Sequence, residues 1–179
     1  IKKFSQSIFG LIDKAYSQNL DTNLYLKRLK VKNINFIGNL KFIEDDSFKP
    51  DKSDKKLFSQ FKKFKTFVAA STHESEELFA AKTHILLKKR NKNIITIIIP
   101  RHINRVEKII SQINEIGLKV VIRSSNKVKL RNIDIFLVDT FGESKKFYKF
   151  ATTVFLGKSI VKGGGQNPIE PARFGAKIL

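Results

Sequence analysis

The stretch Gly163-Gly164-Gly165-Gln166-Asn167-Pro168-Ile169-Glu170-Pro171 holds the residue types best suited to grip an anion. Three successive glycines let a backbone turn tightly and bring its N–H groups close to a ligand. Asn167 fits an N-cap, Pro168 a first helical position, and Glu170 stands three residues beyond the cap. A glycine-rich loop that runs into a helix start offers unpaired N–H groups and the positive end of a dipole to the same negative charge. The same residues also fit a capped surface helix that follows a loop. Further polar clusters carry similar weight: Ser71-Thr72-His73-Glu74, Pro100-Arg101-His102 with Arg105, and Asp139-Thr140-Phe141-Gly142-Glu143-Ser144. Ser71 with Glu74 and Thr140 with Glu143 have capping-box spacing, so helix initiation is an alternative use for them. Arg101 and Arg105 are four apart, which predicts one shared face at a helix N-terminus. A positive charge there opposes the dipole and is better explained by an anion. His73 and His102 show no metal-ligand spacing. Asp139 and Glu143 do not make an acid/base pair, and neither a Ser-His-Asp set nor a P-loop is present.

The elements that must carry these clusters follow from periodicity. A first region reads as helix (Ile1–Leu11), strand (Lys14–Ser17), helix capped by Asn19 or Asp21 through Leu29, and strand (Ile34–Ile37). It has the form of the last unit of an α/β domain. Leu40–Ser53 is polar and aperiodic and reads as a linker. Beyond it come a helix at Leu57–Phe64, strand Thr66–Ala70, helix Glu74–Arg90, strand Ile94–Ile99 and a helix with the stripe Ile103, Val106, Ile109, Ile110, Ile113, Ile116. Strands at Lys119–Ile122 and Ile133–Val138, helix Glu143–Phe150, strand Thr153–Leu156 and helix Pro168–Phe174 complete the series. Continuous apolar strands between amphipathic helices predict an α/β fold, a Rossmann-like parallel sheet with helices on both faces. The expected organisation is residues 1–39 as the end of one domain, 40–53 as linker and 54–179 as a second domain. Ligands of such sheets bind at the carboxyl ends of the strands, and each polar cluster directly follows a strand.

Composition sets outer limits. Of 179 residues, 41% are hydrophobic and 16 are Phe, enough for a sizeable core. Cysteine is absent, which excludes disulfides, thiolate metal sites and Cys nucleophiles, and three His make a His-rich metal site a poor expectation. No apolar run approaches the ~18–20 residues of a membrane span. The lack of any Met, even at position 1, and the ending at Ala176-Lys177-Ile178-Leu179, where a strand begins, read as a piece of a longer protein. The formal net charge of +19 points to anionic partners: nucleic acid, lipid headgroups or phosphorylated ligands. No aromatic RNA-binding motif, helix-turn-helix or zinc pattern supports the nucleic-acid alternative.

Taken together, Asn39-Leu40-Lys41-Phe42, Ser71-Thr72-His73-Glu74, Pro100-Arg101-His102 with Arg105, Asp139-Thr140-Phe141-Gly142-Glu143 and GGGQNPIEPA resemble the Kdo transferases. These enzymes add 3-deoxy-D-manno-octulosonic acid (Kdo) to the lipid A precursor of Gram-negative bacteria. The blocks run in the family's order from about Gly38 to Ala172. The resemblance implies the C-terminal, donor-binding half of a two-domain GT-B glycosyltransferase. It implies CMP-Kdo as donor, with CMP touching Pro100, Arg101, Gly142, Glu143, Ser144, Asn167, Pro168, Ile169 and Glu170. Further candidates are Ser71, His73, Arg105, Gly163, Gly164, Gly165 and Gln166. It also implies Lys41 as a stabiliser of transition-state charge, and no metal or other cofactor. The general-base glutamate, the lipid A acceptor site and the membrane anchor would lie in an N-terminal domain. The whole enzyme would then sit at the cytoplasmic face of the inner membrane, against an anionic surface, and this fragment would be soluble and inactive alone. Two positions depart from the family: Gln166 stands where histidine is usual and Ser75 where glycine is usual. Another GT-B enzyme that uses a UDP-sugar is the neighbouring alternative.

Overall fold

Along each central strand of this protein, alternate side chains enter two different cores, as strand geometry demands when both faces of a sheet are covered. The computed structural model describes residues 2–40, 52–125, 128–161 and 164–179, with Ser53 described in its backbone alone. Residues fall into two compact units, Ile1–Ser47 and Phe48–Leu179.

In the first unit, helix α1 (Lys2–Phe9) and strand β1 (Ala15–Ser17) precede α2 (Leu20–Arg28) and β2 (Ile34–Phe36). The two strands pair in parallel, Ala15 opposite Ile34. Asn19 caps α2, its side-chain oxygen accepting from the Thr22 N–H at 2.7 Å. The expected linker at 40–53 lies almost wholly outside the described residues, and so does Lys41.

In the second unit, α3 (Lys52–Phe61) leads to β3 (Lys65–Thr72), α4 (Glu76–Arg90), β4 (Ile94–Pro100), a 3-10 turn (Ile103–Arg105) and α5 (Val106–Glu115). Next come β5 (Val120–Ile122), β6 (Ile135–Leu137), α6 (Ser144–Tyr148), β7 (Thr153–Leu156), α7 (Ile169–Arg173) and β8 (Lys177–Ile178). The helix expected from Leu57 begins earlier, at Lys52, inside the stretch read as linker. Six strands form one wholly parallel sheet in the order β5-β6-β4-β3-β7-β8. The expected α/β class and parallel sheet are thus observed.

Val68 and Ala70, Ile95, Ile97 and Ile99, Phe136 and Val138, and Val154 and Leu156 face one core with Leu57, Phe58 and Phe61 of α3 and Phe147 and Tyr148 of α6. Phe67 and Ala69, Ile98, Ile135 and Leu137, and Phe155 face the other, covered by Ala80 and Ala81 of α4 and Ile109 and Ile113 of α5. The phenylalanine surplus is spent in the first core: Phe61 lies edge-on to Phe136 at 5.2 Å and to Phe147 at 6.1 Å.

Chain direction across the sheet changes at the β3/β7 boundary, the topological switch point where open α/β sheets hold ligands. Backbones approach closely there. A Cβ on Gly157 would stand 2.0 Å from the Ser71 carbonyl oxygen, so only glycine fits. Opposite it, β3 bulges between Ala70 and Thr72, with Ser71 at φ 54°.

A buried polar group also marks the other end of the sheet. His84 of α4 is fully buried, its Nδ1 2.9 Å from Thr96 Oγ1 and its Nε2 3.4 Å from Asp134. Burial lowers its pKa, against the opposing pull of Asp134. A histidine held neutral when folded binds fewer protons than the unfolded chain, so stability is full above the unfolded value of about 6.5 and declines as pH falls below it. Denaturant midpoints measured from pH 8 to pH 5 should drop through this window, and His84→Gln should remove that first step while leaving the carboxylate-driven loss at lower pH.

Candidate functional site

Two adjacent carboxylates at the start of α4 organise the carboxyl edge of the sheet. Glu76 is buried, and its oxygens accept from three backbone N–H groups: His73 at 2.8 Å, Lys158 at 2.9 Å and Ile160 at 3.3 Å. It therefore ties the loop after β3 to the loop after β7. Glu77, equally buried, accepts from both terminal nitrogens of Arg105 at 3.1 Å and from the Thr72 hydroxyl at 3.1 Å. It ties the same loop to the segment after β4. A further bond runs from the Arg101 N–H to the Thr72 carbonyl at 2.9 Å. Both acids lie in the first turn of α4, where the helix dipole favours negative charge.

Three expectations change here. The strand expected to stop at Ala70 continues to Thr72 through the bulge, so α4 starts at Glu76 rather than Glu74. The expected Ser71–Glu74 capping box is replaced by the His73 N–H bonding to Glu76, while Glu74 is exposed and pairs with Lys108 at 2.5 Å. Arg101 and Arg105 do not share a helix face, because a 3-10 turn intervenes and α5 begins at Val106. The anion that Arg105 serves is the internal Glu77. Arg101 is exposed just past β4 and has no acidic partner among the described residues. Pro100, which ends β4, is buried.

His73 and His102 stack edge to face with centroids 6.1 Å apart, and Nε2 of His73 is buried with no hydrogen-bond partner among the described residues. Ser75 takes φ 75°, a left-handed conformation that glycine adopts without strain. The serine-for-glycine departure thus falls on a backbone position that glycine suits better.

After β6, Asp139 holds the Ser124 N–H at 2.9 Å together with its hydroxyl. Gly142 turns at φ 76° and Glu143 precedes Ser144, the first residue of α6. Thr140 does bond to Glu143, hydroxyl to carboxylate, but the helix start receives no side-chain cap. Glu143 instead meets Arg123 Nε at 3.1 Å and Lys146 at 2.6 Å, and both cations also bind the buried Asp54, at 2.7 and 3.0 Å. Burial alone would raise the pKa of Glu143, but its bonds to Lys146, Thr140 and Arg123 hold it below the ordinary value. Sequence reasoning missed Asp54, Arg123 and Lys146. They lie 69 and 92 residues apart along the chain, and no local pattern links them.

Gly163 lies outside the described residues. Gly164 is exposed at φ 75°, and Gly165 is also exposed, 3.2 Å from Ser159 Oγ for a hypothetical Cβ. The Gln166 N–H bonds back to Gly157 at 3.3 Å. Pro168 itself takes the N-cap position of α7, while Asn167 Oδ1 accepts from the Ile169 N–H at 3.1 Å, one residue out of the expected register. Glu170 is half-buried, 3.9 Å from Lys145 of α6. Burial and then the Glu170 charge push the Tyr148 phenol up. Contacts therefore link the loops after β3, β4 and β7 to one another, and α6 to α7. Among the described residues, no group of three or more His, Cys, Asp or Glu is placed to hold a metal ion, and no helix is long and apolar enough to cross a membrane.

The architecture is a Rossmann-like α/β domain, a parallel six-stranded sheet covered by helices on both faces. It superimposes on the C-terminal CMP-Kdo binding domain of WaaA from Acinetobacter baumannii with a TM-score of 0.64, over 71% of this chain and 67% of that one, at 24% identity. In sequence, the chain is 31% identical over 178 residues to the 3-deoxy-D-manno-octulosonic acid transferase of Rickettsia felis, covering 99% of this chain and 38% of that protein. It is 29% identical over 149 residues to the enzyme of the same name from Haemophilus influenzae, covering 82% and 34%. The chain is homologous to the Kdo transferases, as its ordered motifs indicated, and it spans a little over a third of the length of these curated relatives. No family model matches it.

Two substitutions test the loop anchoring. Glu76→Ala strands three backbone N–H groups of part-buried bonds and should cost about 2–4 kcal/mol, read as a lowered denaturant midpoint. Ser75→Gly relieves the left-handed strain and should gain about 0.5–1 kcal/mol in the same assay.

Proposed function

We propose that this chain supplies the donor site for transfer of Kdo from CMP-Kdo to a lipid A precursor, with inversion at the sugar's anomeric carbon. The observation that carries the proposal is the exposed Arg101 guanidinium without an acidic partner, at the carboxyl edge that also bears Gly164, Gly165 and the start of α7. Homology to the Kdo transferases supports the choice of sugar and nucleotide.

The donor presents two anions, a phosphate diester and a sugar carboxylate. When the sugar–phosphate bond breaks, its electron pair stays with CMP, which leaves as a phosphate monoester with one more negative charge. Groups fixed where that charge grows lower the barrier without reorganising. Arg101 and the N–H groups of Gly164 and Gly165 are assigned this work, with Gly163 and Lys41 joining them on the strength of the resemblance. Glu170 accepts hydrogen bonds from the ribose hydroxyls, and the unsatisfied His73 Nε2 contributes a polar contact nearby. Pro100, Gly142, Glu143, Ser144, Asn167, Pro168 and Ile169 line the nucleotide. Ser71, Arg105 and Gln166 act mainly by shaping the loops, since Arg105 is already engaged by Glu77. A glutamate in an N-terminal domain would deprotonate the acceptor hydroxyl, and that domain would place the enzyme at an anionic membrane surface. Residues 1–39 would belong to its end, 54–179 forming the donor domain.

Thermal-shift titration with CMP, UDP and a short oligonucleotide separates this proposal from the alternatives. CMP should stabilise the protein best. Arg101→Ala and Glu170→Ala should each weaken CMP binding about tenfold or more, the loss of a charge-assisted contact worth roughly 1.5–3 kcal/mol, with the unliganded melting temperature nearly unchanged for Arg101→Ala. Parent-like CMP binding in both variants would show the site to be elsewhere. A preference for UDP would reassign the donor, and stabilisation by oligonucleotide alone, fading with salt, would indicate a nucleic-acid module.

A further inference from the structure

The amino edge of the same sheet carries a second cationic feature that the donor site does not use. A cavity of about 430 Å³ opens there, between the C-terminal ends of α3 and α4 and the turn before β6. Lys63, Lys88, Lys92 and Arg131 converge on it from three separate segments. Its wall includes Phe64 and Leu130, and Asn93 and Asn132 also line it.

Lys at helix C-termini has an ordinary use, complementing the dipole, and Lys88 in the last turn of α4 fits it. Lys92 and Arg131 lie outside any helix, so the dipole does not account for them. The carboxylate beside this cluster is Asp134, which is buried and already bound by Lys88 and by the Lys119 N–H at 2.9 Å. Burial opposes its ionisation, but these bonds keep its pKa below the ordinary value, so the acid is charged and spent at neutral pH. Lys63, Lys92 and Arg131 are exposed and have no acidic partner among the described residues. Three uncompensated positive charges around one concavity repel one another, and a multiply charged anion relieves that repulsion while meeting both Lys ammonium groups and the Arg fork.

We propose that this cavity binds a phosphate-bearing ligand, in the form of a pyrophosphate or phosphomonoester group, independently of the donor nucleotide. The shared chemistry is a compact anion of charge −2 or more, supplied by a free phosphate compound or by a lipid headgroup.

The test uses the whole chain, with inorganic pyrophosphate as titrant in a calorimeter and excess CMP present throughout. Pyrophosphate binding should weaken at least tenfold in a Lys92→Ala/Arg131→Ala double variant. It should change less than twofold in Lys82→Ala, a control on the exposed side of α4, and in Arg101→Ala. Sedimentation with phosphatidic acid vesicles, whose headgroup is a phosphomonoester, forms the second arm. Vesicle binding lost in the double variant, with pyrophosphate weak, would identify a headgroup as the source. Equal loss in Lys82→Ala would overturn the proposal by showing a diffuse charge effect, as would loss confined to Arg101→Ala or failure of both probes to bind the parent. Whether CMP binds is read separately and decides only the donor assignment.

Discussion

Two neighbouring carboxylates, Glu76 and Glu77, are sealed from water and fully engaged, and the geometry of the carboxyl edge depends on them. Isolated charges in such positions would cost several kcal/mol each, so they persist only where fixed donors surround them. Glu76 takes three backbone N–H groups and Glu77 a bidentate arginine and a hydroxyl. The result is a joint among three loops that are distant in sequence. It leaves the exposed Arg101 without an acidic partner among the described residues while its neighbour Arg105 is consumed. In the proposed donor site, the dipoles along this edge are oriented before a ligand arrives.

The parallel sheet and its helices were legible because the signals are local: apolar runs such as Ile94–Ile99 and the Ile103–Ile116 stripe report burial directly. The carboxyl-edge placement of the polar clusters followed from topology alone. What local patterns could not show was the competition for each charge. Arg105 and Arg101 look equivalent in sequence, and only the fold brings Glu77 to one of them. Glu143 looked like a cap and proved to be one corner of a cluster with Asp54, Arg123 and Lys146, whose members meet across the second unit. The bulge at Ser71 was likewise invisible, since it lies where β3 passes close to Gly157, a residue far away in sequence just beyond β7. Beyond it α4 starts at Glu76, two positions later than expected, with Glu76 and Glu77 buried in its first turn.

Net charge is unevenly answered within the second unit. At the carboxyl edge, Glu74, Glu77, Glu143 and Glu170 each face a lysine or arginine, so the cations there are largely paired. At the amino edge Asp134 is engaged by Lys88, while Lys63, Lys92 and Arg131 have no acidic partner among the described residues. A surplus of +19 spread evenly would give a weak, non-selective attraction to any polyanion; convergence on a concavity gives direction.

Distance keeps the two edges independent. Strand β4 runs seven residues from Ile94, which borders the basic cavity, to Pro100, which precedes Arg101. At ~3.3 Å per residue the two cationic sites are separated by roughly 20 Å, beyond the ~8 Å over which charges interact at physiological salt. A CMP-sized ligand at one edge cannot reach the other, nor does its charge reduce the repulsion there. Lys63, Lys92 and Arg131 therefore cannot be explained as remote support for a nucleotide at the carboxyl edge. Whatever negative charge they meet must come to them directly.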